Sequence, residues 1–93
     1  MIKSFADKET ENLFRGGKST AVPSQVRERA LSKLLVLNAA TSVEDLRAPP
    51  GNRLEKLRGD REGQWSIRVS RQYRVCFSWI GADAHDVEIT DYH

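Results

Sequence analysis

The spacing of apolar residues changes near the middle of this 93-residue chain, and that change restricts the fold more than any other feature. Before residue 40, apolar residues recur at helical spacing, at Val26, Ala30, Leu34 and Leu37. Over residues 64–69 and 73–80 they alternate with polar ones, which is the period of a strand with one buried face. A proline pair and a glycine lie between the two regions and force an irregular loop. Helices therefore come first and strands follow.

Weaker patterns complete the predicted order of elements. Short alternating stretches indicate further strands, and acidic residues after a capping position favour a short helix and a single helical turn. We predict strands at 2–5, 53–58, 64–69, 73–80 and 87–92, helices at 7–14 and 24–40, and a turn at 42–45. The order is β–α–α–β–β–β–β in one domain over residues 1–93. We expect an α+β fold in which two N-terminal helices pack on a small antiparallel sheet.

Positive charge is concentrated in one block of the sequence. The net charge is only +2, but residues 47–74 contain eight Lys or Arg against three Asp or Glu, a net charge of +5. Residues 75–93 carry four acids and neither Lys nor Arg. Seven of the eight cations in the block are arginines, whose planar guanidinium suits bidentate binding of phosphate. This distribution predicts an anionic partner, most simply a nucleic acid.

The sequence also carries information on the cellular location of the protein and on its need for a metal or cofactor. It contains no run of 18 apolar residues and no secretory leader pattern, so we expect no membrane partner. Cys76 is the single cysteine, which excludes an intrachain disulfide and leaves no zinc-ligand spacing. We expect a cytoplasmic protein without metal or cofactor.

Strand geometry sorts the arginines by face. If Ile67, Val75 and Phe77 point toward the helices, then Arg68 and Arg74 point to the opposite face, which is polar and cationic. Tyr92 has the parity of this far face as well. Arginines beside an aromatic ring suit single-stranded RNA, whose phosphates pair with cations while its bases stack. An isolated arginine on a sheet is more commonly just solvated, and the other sheet aromatics, Trp65, Tyr73 and Trp79, have the parity of core residues.

The last three residues, Asp91, Tyr92 and His93, place proton-transferring side chains at the end of a strand. Cleavage of RNA by its own 2′-hydroxyl needs a proton acceptor, a proton donor for the leaving 5′ oxygen, and cations for the charge on phosphorus. Arg58, Arg74 and His93 are of these types. A chance occurrence of this triplet is the alternative.

Four ordered motifs together resemble a known family. They are NRLEKLRG at 52–59, GQWSIRV at 63–69, YRVCF at 73–77 and VEITDYH at 87–93. This pattern, with IKSF at 2–5 and LNAAT at 37–41, resembles the HigB toxins, the plasmid-maintenance killer branch of the RelE-like superfamily. The resemblance spans nearly the whole chain.

The resemblance implies a compact microbial-ribonuclease-like fold and a toxin of a type II toxin–antitoxin system. Such a toxin enters the A site of the small ribosomal subunit and cleaves mRNA during translation, leaving a 2′,3′-cyclic phosphate and a 5′-hydroxyl. A helix-turn-helix antitoxin of the HigA type neutralises it in a hetero-oligomer.

The resemblance also assigns candidate catalytic residues, and the charge block supplies candidate RNA-binding ones. The catalytic set is Arg58, Arg74, Asp91, Tyr92 and His93. The RNA-binding set is Arg53, Lys56, Arg61, Arg68 and Arg71.

Two positions depart from the common family residues. Arg58 stands where a catalytic lysine is frequent, and it keeps the charge but cannot release a proton, which favours electrostatic stabilisation over acid catalysis. Glu55 stands where some members carry a histidine, and its negative charge would repel the phosphate, so we leave it out of the site.

Two other functions remain open on the sequence. A degenerate toxin would bind RNA, the ribosome or the antitoxin without cleaving, but the intact terminal triplet argues against it. A DNA-binding protein is the weaker alternative, because the helix over 24–40 is apolar on much of its surface and shows no recognition-helix pattern.

Overall fold

The computed structural model describes residues 1–16 and 18–91, and in it two helices are followed by a four-stranded antiparallel sheet. The helices are α1 (Lys8–Phe14) and α2 (Ser24–Ala39). The strands are β1 (Glu55–Lys56), β2 (Gln64–Arg68), β3 (Tyr73–Ile80) and β4 (Asp83–Asp91). Short 3₁₀ helices cover Val43–Arg47, Pro50–Asn52 and Gly59–Arg61. The predicted α+β fold is confirmed.

Local sequence accounts for the ends of the helices. Asp7 caps α1, because its Oδ1 accepts a hydrogen bond from the amide of Thr10 at 2.6 Å. The helix ends before Gly16, which adopts a left-handed φ of 84°. Ser42 and Asp45 form a reciprocal capping box at the first 3₁₀ helix, where the sequence predicts a single turn.

The strands pair in the order β1-β2-β3-β4. The hairpin between β2 and β3 brings Ile67 opposite Val75, in agreement with the predicted alternation. β4 starts at Asp83, earlier than predicted, and pairs with β3 across a register shift between Cys76 and Ser78.

Two of the predicted strands differ in the structure. Residues 2–5 form only isolated bridges, Ile2 with Ala84 and Phe5 with Val87, and they run parallel to β4 instead of antiparallel. They lie against the outer edge of β4, where Lys3 and Ala6 donate backbone hydrogen bonds. The strand predicted at 53–58 is only two residues long, because Arg53 has a left-handed backbone and a 3₁₀ helix follows Arg58.

The core lies between the helices and one face of the sheet. Leu34 and Leu37 of α2 are fully buried, as are Ile67, Val75 and Phe77 of the sheet. α2 packs against β3 and β4, and α1 packs against α2 and β4. Within residues 1–16 and 18–91, no helix is long and apolar enough to cross a membrane.

The opposite face of the sheet is not the open polar surface that strand parity predicts. Ser66 and Cys76 are completely buried, and Arg74 is only 8% exposed. At Arg74, the chain near Arg53 lies over the sheet, and the Arg53 carbonyl accepts a hydrogen bond from the Arg74 guanidinium. The centre of this face is therefore a buried polar site with its cations around it.

Candidate active site

Arg74 is the most buried of the predicted site cations. Its Nε donates to Ser66 Oγ at 2.7 Å, and its Nη2 donates to the backbone carbonyl of Arg53 at 2.7 Å. A buried guanidinium with bonds to fixed acceptors keeps one orientation and one charge, because arginine does not deprotonate in proteins. Arg74 is therefore a preorganised positive charge beneath the surface.

Arg53 contributes to the site through its backbone and its side chain. It is a non-glycine residue in the left-handed region, with φ 45° and ψ 54°. This conformation costs on the order of 1–3 kcal/mol and persists where surrounding contacts fix it. At Arg53 the fixed carbonyl accepts the bond from Arg74, while the exposed side chain lines the cleft above.

Arg68 adds a third cation from the neighbouring strand. It lies directly opposite Arg74 in the β2–β3 ladder. Its Nε donates to the backbone carbonyl of Ser70 at 3.2 Å, which directs the half-buried guanidinium toward the hairpin turn.

These residues share an open cleft of about 260 Å³, which we call the arginine cleft. Its lining consists of Arg53, Arg68, Ser70, Arg71 and Arg74. No carboxylate is among these described lining residues. Four guanidinium groups in one concave surface produce a strong positive potential, and the fork of each group matches phosphate geometry.

The remaining predicted cations lie in a second cleft of about 600 Å³. It is lined by Glu55, Lys56, Leu57, Arg58, Asp60 and Arg61, so its charge is mixed. Arg58 is exposed at the start of a 3₁₀ helix, and the Lys56 ammonium lies 5.6 Å from the centre of the Trp65 ring. This cleft has less excess positive charge than the arginine cleft.

Arg61 is held by other side chains. Its Nη2 forms an ion pair with Glu88 Oε1 of β4 at 2.6 Å, and its Nη1 donates to Gln64 Oε1 at 3.0 Å. These bonds connect the second cleft to the sheet. An RNA phosphate at Arg61 would compete with the Glu88 carboxylate.

Of the predicted catalytic triplet, only Asp91 belongs to the described residues. It pairs with Tyr73 at the end of β4, one residue beyond the pair of Thr90 with Arg74. Its Oδ2 accepts a hydrogen bond from Gln72 Nε2 at 3.0 Å. Tyr92 and His93 lie outside the described residues, so their catalytic assignment stays a prediction.

The structure thus divides the predicted site into two groups of cations. Arg53, Arg68, Arg71 and Arg74 meet in the arginine cleft, whereas Lys56, Arg58 and Arg61 line the second one. Within the described residues, no group of three or more His, Cys, Asp or Glu side chains is placed to hold a metal ion.

Sequence reasoning missed the role of Ser66 and Asn52. Strand parity places Ser66 on the same face of the sheet as Arg74, but it does not show that the two side chains are bonded. The hairpin register does indicate it, because it pairs Arg68 with Arg74 and so brings Ser66, two residues earlier on β2, close to Arg74. Asn52 is buried, and its Nδ2 donates to the carbonyls of Leu46 and Ala48 at 3.2 Å each. It fixes the loop that presents Arg53, and no motif marked it.

Comparison with known proteins identifies the family. The sequence model of HigB-like toxins, described as the RelE-like toxin of the type II toxin–antitoxin system HigB, matches residues 3–93. Toxin HigB-1 of Vibrio cholerae serotype O1 is 42% identical over 81 residues, which cover 86% of this chain and 85% of that protein. A protein of Proteus vulgaris named Endoribonuclease HigB is 39% identical over 93 residues, which cover 100% of both chains.

Solved structures support the fold independently. A YoeB-YefM complex from Staphylococcus aureus matches with a TM-score of 0.61 at 11% identity, covering 100% of this chain and 98% of that one. A YoeB/ParE toxin from Agrobacterium tumefaciens matches with a TM-score of 0.56 at 14% identity, covering 99% and 100%. These likenesses concern the fold alone. The family match settles the identity: the chain belongs to the HigB-like family of RelE-like toxins of type II toxin–antitoxin systems, as the sequence motifs predict, and its partner is therefore an antitoxin.

Proposed function

We propose that this chain is a ribosome-dependent endoribonuclease that cleaves mRNA in the ribosomal A site. The observation that carries the proposal is the arginine cleft, in which the buried Arg74 is fixed among three further arginines. The Proteus relative, which aligns over the full length of the chain, is named an endoribonuclease. A cleft of this charge suits the phosphate of an RNA strand.

The reaction follows from the chemistry of RNA. The 2′-oxygen attacks the adjacent phosphorus, the bond from phosphorus to the 5′-oxygen breaks, and a 2′,3′-cyclic phosphate and a 5′-hydroxyl form. One proton leaves the 2′-hydroxyl and one reaches the 5′-oxygen. Negative charge gathers on the non-bridging oxygens in between, and fixed cations stabilise that charge.

Each residue has a proposed part in this sequence. Arg74 and Arg58 stabilise the charge on the phosphate, Asp91 or His93 transfers the proton of the 2′-hydroxyl, and Tyr92 orients or stacks the base. Arg53, Arg68 and Arg71 hold the strand in the arginine cleft, and Lys56 and Arg61 contact RNA from the second cleft. The support for Arg74 and its neighbours is geometric, whereas that for Tyr92 and His93 is the resemblance of the terminal triplet to the family motif.

The small net charge supports the dependence on the ribosome. With a net charge of +2, the isolated chain attracts free RNA weakly over long distances, so the ribosome must help to position the mRNA. The antitoxin partner is proposed to be a helix-turn-helix protein of the HigA type that binds the toxin in a hetero-oligomer. Both events take place in the cytoplasm.

Replacement of single residues tests the assignment of the site. Arg74→Gln and His93→Ala are each expected to reduce mRNA cleavage by a translating ribosome strongly, with circular dichroism confirming that both variants are folded. Arg15→Gln, at an exposed position immediately after α1, is the charge-matched control for Arg74→Gln and should cleave like the wild type. Unchanged cleavage in both site variants would reject the assignment.

The second candidate function is a toxin that blocks translation without cleaving. The mixed charge of the second cleft, where Glu55 and Asp60 accompany Arg58, is the feature that favours it, because carboxylates there weaken phosphate binding. A translation block with intact mRNA would establish this alternative.

A further inference from the structure

A second basic groove adjoins the arginine cleft and extends onto helix α2. Its volume is about 450 Å³, and it is lined by Arg29, Ser32, Lys33, Gly51, Arg68, Val69, Ser70 and Arg71. Three of these residues, Arg68, Ser70 and Arg71, also line the arginine cleft. The two depressions therefore form one continuous surface that crosses the β2–β3 turn. We call this second groove, with all eight of its lining residues, the α2 groove.

The cations that α2 contributes are placed on one side of the helix. Arg29 and Lys33 are four residues apart, which places their side chains next to each other on the helix surface. Two like charges at this spacing destabilise a helix by about 0.2–0.5 kcal/mol. Helix stability therefore does not explain why both are present in one groove.

Lys33 is held in a defined position. Its ammonium donates a hydrogen bond to Oδ1 of Asn52, and Asn52 is itself buried and bonded to the backbone at Leu46 and Ala48. The Asn52 amide carries no charge, so this hydrogen bond does not offset the positive charge of Lys33. The groove therefore contains an anchored cation at Lys33 beside an exposed one at Arg29.

The described lining of the α2 groove contains no carboxylate, although Glu28 is adjacent to Arg29 in the sequence. Successive residues on a helix do not face each other. Glu28 lines an adjoining depression with Gln25, and that depression shares Arg29 and Ser32 with the α2 groove, so the Glu28 carboxylate lies beside the groove and not in its lining. The α2 groove therefore contains four cations, Arg29, Lys33, Arg68 and Arg71, and none of its described lining residues is acidic.

We propose that Arg29 and Lys33 form a second phosphate-binding site for the RNA strand whose scissile phosphate occupies the arginine cleft. The strand would cross the β2–β3 turn at Arg68 and Arg71 and place a flanking phosphate between α2 and the turn. This inference rests on the proposed function. Continuity with the arginine cleft favours an RNA strand over an acidic peptide, because one chain of regularly spaced phosphates meets both sets of cations.

The test is binding of a short single-stranded RNA with 2′-O-methyl groups, which cannot be cleaved because the attacking oxygen is blocked. The double variant Arg29→Gln, Lys33→Gln removes both charges, and the new amide at position 33 can still donate to Asn52. The double variant Lys8→Gln, Arg15→Gln removes two exposed charges from the region of α1 and is the matched control. Affinity is measured by fluorescence anisotropy over a range of salt concentrations.

For the α2 variant we expect Kd to rise by about tenfold at low salt. The slope of log K against log salt should fall in magnitude by about 0.7, which corresponds to the loss of one phosphate contact on a single strand. The control should resemble the wild type. Equal affinity and slope for the α2 variant and its control would overturn the proposal.

Binding of polyglutamate, measured in the same way, tests whether an acidic peptide occupies the groove instead. If the α2 variant keeps wild-type RNA binding but no longer binds polyglutamate, the groove is a site for acidic peptide and the proposal is wrong. Failure of the proposed function is a separate result, because it would appear as a wild-type chain that does not cleave mRNA on ribosomes, whatever the two double variants bind.

Discussion

Arg68 of β2 and Arg74 of β3 are direct cross-strand partners, although both carry a positive charge. Like charges in this position destabilise a sheet, whereas opposite charges stabilise it by about 0.2–1 kcal/mol. The sheet tolerates the pair because Arg74 is bonded to Ser66 and Arg53, and Arg68 to the carbonyl of Ser70. A pair of like charges that lowers the stability of the fold but attracts an anion is typical of a binding site.

Removing the charge at position 68 should therefore stabilise the fold and weaken the function. We expect Arg68→Thr to raise the free energy of unfolding by a few tenths to about 1 kcal/mol, because threonine suits a strand and ends the repulsion with Arg74. Urea denaturation measures the change, and affinity for RNA should fall at the same time. Arg68→Lys keeps the charge and should show no comparable gain. A destabilised Arg68→Thr would contradict the repulsion.

Ser66 is expected to position Arg74. Ser66→Ala removes the acceptor of the Arg74 Nε bond and leaves a buried donor without it, which costs about 1–3 kcal/mol of stability. Displacement of the guanidinium should lower the rate of mRNA cleavage by on the order of 100-fold.

The NMR signal of the Arg74 Nε–H distinguishes positioning from a merely structural role. It should shift in Ser66→Ala and be largely restored in Ser66→Thr, which keeps a hydroxyl. A lower stability with an unmoved Nε–H signal and full cleavage would show that Ser66 only packs.

Lysine replacements should separate the two proposed phosphate-binding arginines. Lysine at 74 cannot reach both Ser66 Oγ and the Arg53 carbonyl with a planar fork, so we expect Arg74→Lys to reduce cleavage by on the order of 100-fold or more. Arg58 is exposed, so Arg58→Lys keeps the charge that matters there and should cleave within a few-fold of wild type. Single-turnover cleavage on stalled ribosomes measures both. Equal losses in the two variants would contradict the distinction.

The capping box at the first 3₁₀ helix predicts a pH dependence of stability. Hydrogen bonds from the backbone N–H of Thr41 and then Ser42 lower the pKa of Asp45 below its ordinary value. The folded state thus prefers the charged carboxylate, so this stabilisation is present above the unfolded pKa and is lost as the pH falls through the folded one.

Comparison of wild type with Asp45→Asn checks this dependence. The wild type should be the more stable protein at neutral pH, and the difference should shrink as the pH falls below the ordinary pKa of an aspartate and the wild-type carboxyl becomes protonated. Urea denaturation at neutral pH and at a series of acidic pH values is the measurement. A difference that does not change with pH would show that Asp45 does not act through its charge.

The helices and the central hairpin could be predicted from sequence because their signals are long and periodic. α2 repeats its apolar spacing over about three turns, from Val26 to Leu37, and β2 and β3 alternate without interruption. The tight turn between the strands lacks the usual Asn-Gly pair. The Ser70 hydroxyl takes its place, accepting hydrogen bonds from the amides of Gln72 and Tyr73.

The shape of the site could not be predicted in the same way. Strand parity placed Arg74 on the correct face but indicated an exposed side chain, whereas the loop around Arg53 covers it. The path of that loop depends on Asn52, whose bonds reach Lys33 in α2 and the carbonyl of Leu46. A side-chain bond between separate parts of the chain, such as that between Asn52 and Lys33, leaves no periodic signal in the sequence. The same reason explains why Arg29 and Lys33 were not recognised as neighbours of the hairpin turn.

The most direct test of the account is mapping of mRNA ends by primer extension in a purified translation system, with and without ribosomes. We predict cuts within the translated frame that appear with wild-type protein only when ribosomes are present, and that are strongly reduced in Arg74→Gln. The upstream fragments should end in a 2′,3′-cyclic phosphate. Intact mRNA with translation still blocked would contradict the account and identify a toxin that binds without cleaving.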